Sequence, residues 1–503
     1  MAISQVTEVI RIRSKVLAEI ARMAYEDCLE KDIGNMMDTI VSEDGPRYRC
    51  CVHKERAVLR QRINLTLSQP LHVTQEEAAA GALAGKVEDM PFISVLPEAC
   101  DQCPIDKYMV TDACRNCLAH NCINSCPKQA ILVVQNRAYI DKTRCVECGL
   151  CKKSCQYGAI IEISRPCERV CAVKAIVAGG DRKAVIDHEK CVECGACREA
   201  CPFGAIGDRS LLVQVIRQIK SGKQVYAMLA PAFAGHFGAK TRPGQLVNAI
   251  KQLGFHEVIE VAYGADIVTI KEAKEFLETV PKSRPFMTSS CCPAFVSMVE
   301  KHFPDLKDMV SSTVSPMLAA AQIIKNNNPD AVIVFIGPCI AKKSEARNHS
   351  DLVDFALTFE ELAAMLTGKG IDIDTIADSG FQSAASGTGN GFACAGGVAK
   401  AVQAAVAGLE PLAAVISHNA AGLENCAEVL TQIQSGRLKA NFLEGMACYG
   451  GCIGGPGGLA NVRVASKLVD NFAKQSTAKN ALDNGPAQTD SEKPGHWHRQ
   501  SKQ

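Results

Sequence analysis

The chain is poor in aromatic residues. They make up 5% of 503 residues, with a single tryptophan, which argues against a stacking platform for single-stranded nucleic acid. It has no excess of charge either. Lys+Arg number 55 and Asp+Glu 54, a net +1, which excludes a whole-chain polybasic nucleic-acid binder or an acidic tail protein. No window approaches ~18 consecutive apolar residues, so no membrane-spanning helix is expected. The opening MAISQVTEVIRIRSK has no apolar h-region and no small-residue cleavage site, and the expected compartment is the cytoplasm. Cysteine is what abounds, with 26 residues. Disulfide frameworks belong to small secreted domains, so in a chain long enough for about three domains these thiols are expected to hold metal.

The cysteines divide the chain. Residues 1–95 carry only Cys28, Cys50 and Cys51 and are expected to form a small, mainly helical segment. Its basic run Arg47–Ile63 reads as a helix with a solvated face, or as a docking site for an acidic partner. Residues 96–205 hold 16 of the 26 cysteines. Residues 206–475 alternate strand-like and helical stretches, with strands expected at Gln224–Leu229, Glu257–Ala262, Arg284–Thr288, Ala331–Ile336 and Leu412–Ser417. That alternation predicts an α/β domain with largely parallel pairing. Residues 476–503 have almost no apolar side chains and are expected to be disordered, with His496 and His498 in a solvated tail.

Within the second region a unit repeats: a cysteine loop, a short helix and a small apolar strand, as in an α+β ferredoxin-like fold. Cys145-x2-Cys148-x2-Cys151-x3-Cys155 and Cys191-x2-Cys194-x2-Cys197-x3-Cys201-Pro202 have the spacing of bacterial two-cluster ferredoxins, in which three thiolates wrap one side of a [4Fe–4S] cube and the fourth cysteine serves the other cube. Zinc knuckles use paired C-x2-C without that returning cysteine. The rule assigns Cys145, Cys148, Cys151 and Cys201 to one cluster, and Cys191, Cys194, Cys197 and Cys155 to the other. The outer cysteines read as a second pair split around the first: Cys114, Cys117 and Cys122 with Cys171, and Cys126 and Cys167 with Cys100 and Cys103. A three-cluster arrangement leaving Cys100 and Cys103 unused is the rival. Three to four clusters in series make an electron wire, so the third region is expected to do redox chemistry.

That region contains SSCCPAF (Ser289–Phe295), GPCIAKKSE (Gly337–Glu345) and EGMACYGGCIGGPGG (Glu444–Gly458). Cys292, Cys339, Cys448 and Cys452, from separate loops, could hold one more cube, and the flanking small residues let backbone approach a bulky cofactor. With a ferredoxin block ahead of them, these motifs resemble those of the [FeFe]-hydrogenases over residues 140–465. The resemblance implies an H-cluster: a [4Fe–4S] cube on those four cysteines, joined through Cys452 to a two-iron centre carrying CO, CN⁻ and a bridging dithiolate. It assigns Lys342 to a cyanide, Cys291 to proton exchange at the bridging amine, and Glu272, Glu275 and Ser311 to a proton relay. It also places Ala230, Pro231 and Met446 beside the cofactor. Glu272 and Glu275, i and i+3 on a predicted helix, share one face. Taken alone they would be ordinary solvated charges. Gly337 for Met, Ala294 for Gly, Phe295 for Trp and GGPGG for GGGQ mark a divergent branch.

The implied activity is reversible H2 oxidation and proton reduction, with ferredoxin or a similar low-potential carrier as electron partner and dedicated maturation enzymes supplying the two-iron centre. No nucleic acid or membrane partner is expected. The alternatives are a hydrogenase-like H2 or redox sensor, an iron–sulfur assembly protein, and a plain polyferredoxin. The last would not need four cysteines in separate loops of the third region.

Overall fold

The computed structural model describes all residues except 1–6, 42–47, 88, 102, 104–106, 182 and 500–503. No helix among the described residues is long and apolar enough to cross a membrane.

The N-terminal helices are clamped onto the rest of the molecule. The helix Glu8–Tyr25 buries Val16, Leu17, Ile20, Ala21 and Met23 against the helix Phe359–Gly368, where Gly368 admits its backbone: a Cβ there would lie 2.6 Å from Arg22 N. Part of the basic run is turned inward, while His53 and Arg60 stay exposed and Arg47 lies outside the described residues. The run's helix, Val52–Thr66, turns Arg62 onto the carbonyls of Phe203 and Gly204. Arg49 pairs with Asp101 at 3.0 Å and Lys54 with Glu98 at 2.7 Å. The expected boundary at residue 95 also shifts, because Ile93–Val95 is a strand that pairs antiparallel with Ile206–Asp208.

That pairing exposes a nested architecture. Ile93–Val95 and Ile206–Asp208, with the hairpin Ile176–Ala178/Ala184–Ile186, form one ferredoxin-like unit. Inside it sits a second. Tyr108–Val110 pairs with Ile160–Glu162, and Ile131–Val134 with Arg137–Ile140. The two units have separate small cores, one around Ile93, Ile176, Ile186 and Ile206, the other around Tyr108, Ile131, Ile140 and Ile160.

The third region carries two parallel sheets. One has the strand order Glu257–Glu260, Val225–Leu229, Val332–Gly337, Phe355–Thr358; the other Met287–Thr288, Phe442–Met446, Ser417–Ala421. Val332–Gly337 is buried at every position, as a strand covered on both faces should be. The predicted strand at Leu412–Ser417 lies earlier than the real one. Leu412 is 94% exposed, and pairing begins only at Ser417. Glu257–Ala262 ends at Glu260, where the long helix Val261–Thr279 starts. Both misreadings have one cause: short apolar runs look alike whether they pair or not.

Residues 476–499, the described part of the tail, are ordered. The helix Gly485–Glu492 packs on Val261–Thr279, and Trp497 is 5% exposed with Lys271 above its ring. Composition missed this because a few anchors suffice when the surface already exists.

Candidate metal and proton-transfer centre

The three cysteine motifs of the third region stand at the carboxyl ends of parallel strands, where open α/β sheets build their sites. Cys292 caps the helix Pro293–His302 just after Met287–Thr288. Cys339 follows Val332–Gly337, and Cys448 follows Phe442–Met446. Cys452 lies in the turn Gly451–Gly454. The four thiols converge: Cys448 and Cys452 each lie in electrostatic contact with Cys339 and Cys292. Burial, then the neighbouring thiols, pushes Cys448 well up, and burial first of all pushes Cys339 up to about 12. Metal coordination is what deprotonates such buried thiols. The approach of the loops depends on glycine: a Cβ on Gly455 would sit 2.4 Å from the Pro338 carbonyl oxygen, and one on Gly451, at φ +80°, 2.6 Å from Ala395 N. Among the described residues no three His, Cys, Asp or Glu side chains cluster tightly enough for a single ion. Four thiols from separate loops suit the corners of an iron–sulfur cube.

The backbone N–H of Ala447 donates to Cys292 Sγ at 3.4 Å, the kind of bond that tunes a cluster ligand. Lys342 is 7% exposed, and its ammonium donates to Ser315 Oγ at 2.9 Å and Glu345 at 2.5 Å. Burial works to lower its pKa, but Glu345 and the thiols of Cys339 and Cys291 outweigh it and hold the ammonium charged. The adjacent Lys343 does something else. It is fully buried and bonds Asp208 at 2.7 Å and Glu361 at 3.0 Å. Asp208 also takes Arg198 at 2.8 Å, and Arg198 reaches Glu360 and the Pro456 carbonyl. This buried network ties the outer ferredoxin-like unit to the third region. Ala230 ends Val225–Leu229 and sits where a Cβ on Gly337 would approach it to 2.9 Å, while Pro231 opens the next turn. Met446 is buried at the end of its strand, its carbonyl taking the Cys426 thiol at 3.5 Å.

Cys291 is fully enclosed beside these ligands. Burial, then Glu272, pushes its thiol well above the ordinary range, so the surroundings keep it protonated rather than tuned toward neutrality. Glu272 is fully buried on the helix Val261–Thr279. Its Oε1 accepts the Ser290 backbone N–H at 3.2 Å. Its Oε2 has no hydrogen-bond partner among the described residues, though the Ser311 hydroxyl lies close enough to ease its ionisation. Burial dominates, and the carboxyl is pushed up to about 7. Glu275, one turn on, accepts Ser311 Oγ at 2.8 Å, the Ser312 N–H at 2.9 Å and Thr313 Oγ1 at 3.3 Å. Arg284 pairs with it at 2.9 Å. Cys291, Glu272, Ser311 and Glu275 thus form one file of proton-bearing groups leading outward. Sequence reasoning missed Ser290, Arg284, Ser312 and Thr313. Arg284 lies across a turn, invisible to helical spacing; Ser290 and Thr313 could have been suspected as neighbours of Cys291 and Ser311.

The ferredoxin thiols divide between the inner and the outer unit, not as spacing suggested. Cys151 feels the charges of Cys145, Cys126 and Cys148, and Cys122 those of Cys155 and Cys117. Those motifs pair within the inner unit, whose core also takes in Cys114. In the outer unit Cys197 feels the charges of Cys194, Cys191, Cys171 and Cys167, Cys167 those of Cys201 and Cys103, and Cys103 that of Cys100. Cys201 therefore does not join Cys145, nor Cys155 join Cys191. The return cysteine does serve the partner motif, but the partners are the halves of each nested unit. The hairpin Ile131–Ile140 joins two motifs directly, and that was the signal available. Cys126, Cys171 and Cys201 each accept an N–H from the residue four on, Ala130, Ala175 and Ala205, at 3.3, 3.2 and 3.3 Å. Cys194 lies within electrostatic reach of Cys292, and Cys448 of Cys194, so the outer unit comes near the third-region thiols.

The family profile described as the iron only hydrogenase large subunit, C-terminal domain, matches residues 223–456, and that of a 4Fe-4S binding domain matches 138–161 and 184–207. The chain is [FeFe]-hydrogenase-like. Its ferredoxin-like region precedes the hydrogenase-type domain. It is 27% identical over 277 residues to Iron hydrogenase 1 of Clostridium pasteurianum, covering 46% of this chain and 48% of that protein. To the NADP-reducing hydrogenase subunit HndD of Solidesulfovibrio fructosivorans it is 29% identical over 265 residues, 42% of this chain and 45% of that one. The cytosolic Fe-S cluster assembly factor narfl of Xenopus tropicalis is also similar, 25% identical over 268 residues, 42% of this chain and 56% of that one. A solved structure concerning stepwise H-cluster assembly in HydA(deltaEFG) aligns at a TM-score of 0.47 and 25% identity, over 55% of this chain and 92% of that one. The chain spans about half the length of the first two of these curated relatives.

Proposed function

We propose that this hydrogenase-like iron–sulfur protein is an [FeFe]-hydrogenase, catalysing 2H⁺ + 2e⁻ ⇌ H2 in the cytoplasm. The observation that carries the reading is the continuous file Cys291–Glu272–Ser311–Glu275, which a cluster carrier has no reason to keep. When bound, an H-cluster supplies the redox chemistry and the site of H–H bond making and breaking. The chain's residues do the rest. Cys292, Cys339, Cys448 and Cys452 ligate the cube, with Cys452 also bridging to the two-iron centre. The charged Lys342 offers its ammonium to an iron-bound cyanide. Cys291 gives and takes the proton at its thiol. Glu272, whose pKa of about 7 lets it occupy either state at neutral pH, exchanges protons with that thiol, and Ser311 passes them to Glu275. Ala230, Pro231 and Met446 wall the cofactor and exclude water.

Four [4Fe–4S] clusters would feed the site: Cys126/145/148/151, Cys114/117/122/155, Cys100/103/167/201 and Cys171/191/194/197. The electrostatic proximity of Cys194 to Cys292 supports the last as the terminal relay. Ferredoxin or a similar low-potential carrier would deliver electrons to the inner unit, and maturation enzymes would build the two-iron centre.

The similarity to assembly factors favours a second reading, in which the chain carries iron–sulfur clusters without turning over H2. Infrared spectra of anaerobically matured protein separate the two. Bands of iron-bound CO and CN⁻ with H2 evolution from a reduced carrier are expected; matured protein lacking both would leave only the second reading.

A further inference from the structure

The third cysteine motif has few side chains with which to hold itself. Six of the nine residues Gly450–Gly458 are glycine, and Cys452, the thiol that the proposed function shares between two iron centres, stands among them. Such a backbone has an unusual amount of conformational freedom to lose. Bonds to neighbouring backbone supply part of the restraint: the Ile453 N–H donates to the Ala393 carbonyl at 3.2 Å and the Gly457 N–H to that of Pro338 at 2.8 Å. Side chains grip the loop as well. One is Arg198, which donates to the Pro456 carbonyl at 2.6 Å. Another is His236.

His236 is 3% exposed. It follows the turn Pro231–Gly235, which packs against Gly451–Gly454, the turn that carries Cys452. Its Nδ1 accepts two backbone N–H groups, Leu459 at 2.9 Å and Ala460 at 3.2 Å. A ring nitrogen that accepts carries no proton, so the imidazole is the neutral tautomer with its hydrogen on Nε2. Burial enforces the same state, pushing the ring down to about 4. Nε2 is enclosed without a bonded partner among the described residues, and the Ile453 carbonyl, next to Cys452, lies close enough to favour a hydrogen there. Phe359 tilts against the ring with centroids 5.2 Å apart. The loop makes room for the ring through Gly458, where a Cβ would lie 2.7 Å from His236 Cε1 and 3.2 Å from Nδ1.

We infer that His236 is a positioning residue for Cys452: its buried neutral imidazole ties the glycine loop to the turn after Ala230 and so fixes the direction from which Cys452 Sγ meets its iron. The inference rests on the ligand role given to Cys452 in the proposed function, and not on turnover. His236 is no ligand itself, because its Nδ1 is occupied by the loop's own N–H groups. A partner that holds a ligand's backbone in place typically accounts for ten- to a hundredfold in metal retention.

Full-length protein carrying its cubes but no two-iron centre tests this. In His236→Ala, the electron paramagnetic resonance signal of the third-region cube should change shape and, with a chelator present, decay at least ~10-fold faster, while the ferredoxin-type signals stay as in wild type. His236→Asn should restore both properties, since its Oδ1 can accept the same two N–H groups. His236→Leu, which fills the space without an acceptor, should not. A wild-type signal and decay in His236→Ala would overturn the inference. So would a leucine variant as good as the asparagine one, which would reduce the ring to a filler. Should the alanine variant fail to fold, the asparagine and leucine pair still decides. Infrared spectra and H2 evolution of matured wild type keep the two questions apart. A cube that answers to His236 in a protein evolving no H2 leaves the clamp standing and sinks the hydrogenase reading; H2 evolution with an indifferent cube does the reverse.

Discussion

At the scale of single residues, adjacent positions with the same side chain do different work. Cys292 converges with three other thiols while Cys291 faces Glu272; Lys342 faces the site while Lys343 is sunk in a structural ion network. Cys291→Ala removes the titratable thiol and hardly changes the volume. The cofactor should assemble with unaltered CO and CN⁻ bands, while turnover falls by at least ~100-fold, and Cys291→Asp should recover part of it. Loss of the bands in Cys291→Ala would mean ligand and relay had been exchanged. Glu272 makes a separate prediction about stability. Its pKa rises from the ordinary carboxylate range to about 7 in the folded chain, so between those values the native state binds more protons than the unfolded one, and stability falls as pH rises. Glu272→Gln cannot ionise. Its advantage over wild type should grow from about pH 4.5 to 7 and then level off, reaching on the order of 3 kcal/mol. Denaturant unfolding across that range measures it, and a gap independent of pH would refute the burial argument.

At the scale of elements, the ferredoxin-like units decide which thiols meet. Cys126→Ala should abolish the electron paramagnetic resonance signal of the cluster on Cys145, Cys148 and Cys151 while sparing the one on Cys191, Cys194 and Cys197. Cys201→Ala should spare both and damage the Cys100/Cys103/Cys167 cluster. If Cys201→Ala instead removed the Cys145 cluster, the linear pairing would be right after all. The contrast shows what was legible in the sequence. Thiol spacing within a loop is local chemistry, so every ligand loop could be read, as could the strands that lead to Cys292 and Cys339, whereas Phe442–Met446, which leads to Cys448, was not foreseen. Which loop shares a cluster with which depends on strands of three residues, such as Ile93–Val95 with Ile206–Asp208, too short to show periodicity. Glu272 and Glu275 were singled out by the family resemblance, helical spacing adding only that they share a face, while Arg284 and Ser312 reach Glu275 through turns. The tail failed for the opposite reason: its polar composition was real, yet one tryptophan and a few backbone bonds to Val314 and Ser312 suffice to dock it.

At the scale of the whole molecule, the parts are joined by buried charge. Arg198 is 2% exposed and Lys343 1%, and their carboxylate partners come from the outer ferredoxin-like unit and the third region. Burial alone would push Asp208 up, but Arg198 and Lys343 hold it well below the usual carboxylate range. Arg198→Ala would leave Asp208 and Glu360 short of a cation and should cost about 3–5 kcal/mol, read as a lower unfolding midpoint. Substituting an exposed arginine such as Arg11 should change it by no more than about 1 kcal/mol. Iron analysis reports on the assembly as a whole. Fully matured protein should contain about 22 iron atoms per chain, from four ferredoxin-type cubes and a six-iron H-cluster. A value near 18 would leave one foursome empty, and the Cys100→Ala, Cys103→Ala double variant would then match wild type in iron.

The nesting of one ferredoxin-like unit inside the other also sets an order of events as the chain leaves the ribosome. The guest closes on itself between Tyr108 and Glu162, a loop of about fifty residues, whereas the host must bring Ile93 back to Asp208 over about twice that span. The guest can take up its clusters while the host's second half is still unmade. The host's Cys100 and Cys103 meanwhile wait as open thiols until Cys167 and Cys201 arrive. The topology thus lets the inner unit's ligand loops close before those of the outer unit, so clusters held by the inner loops would be completed first and those held by the outer loops last.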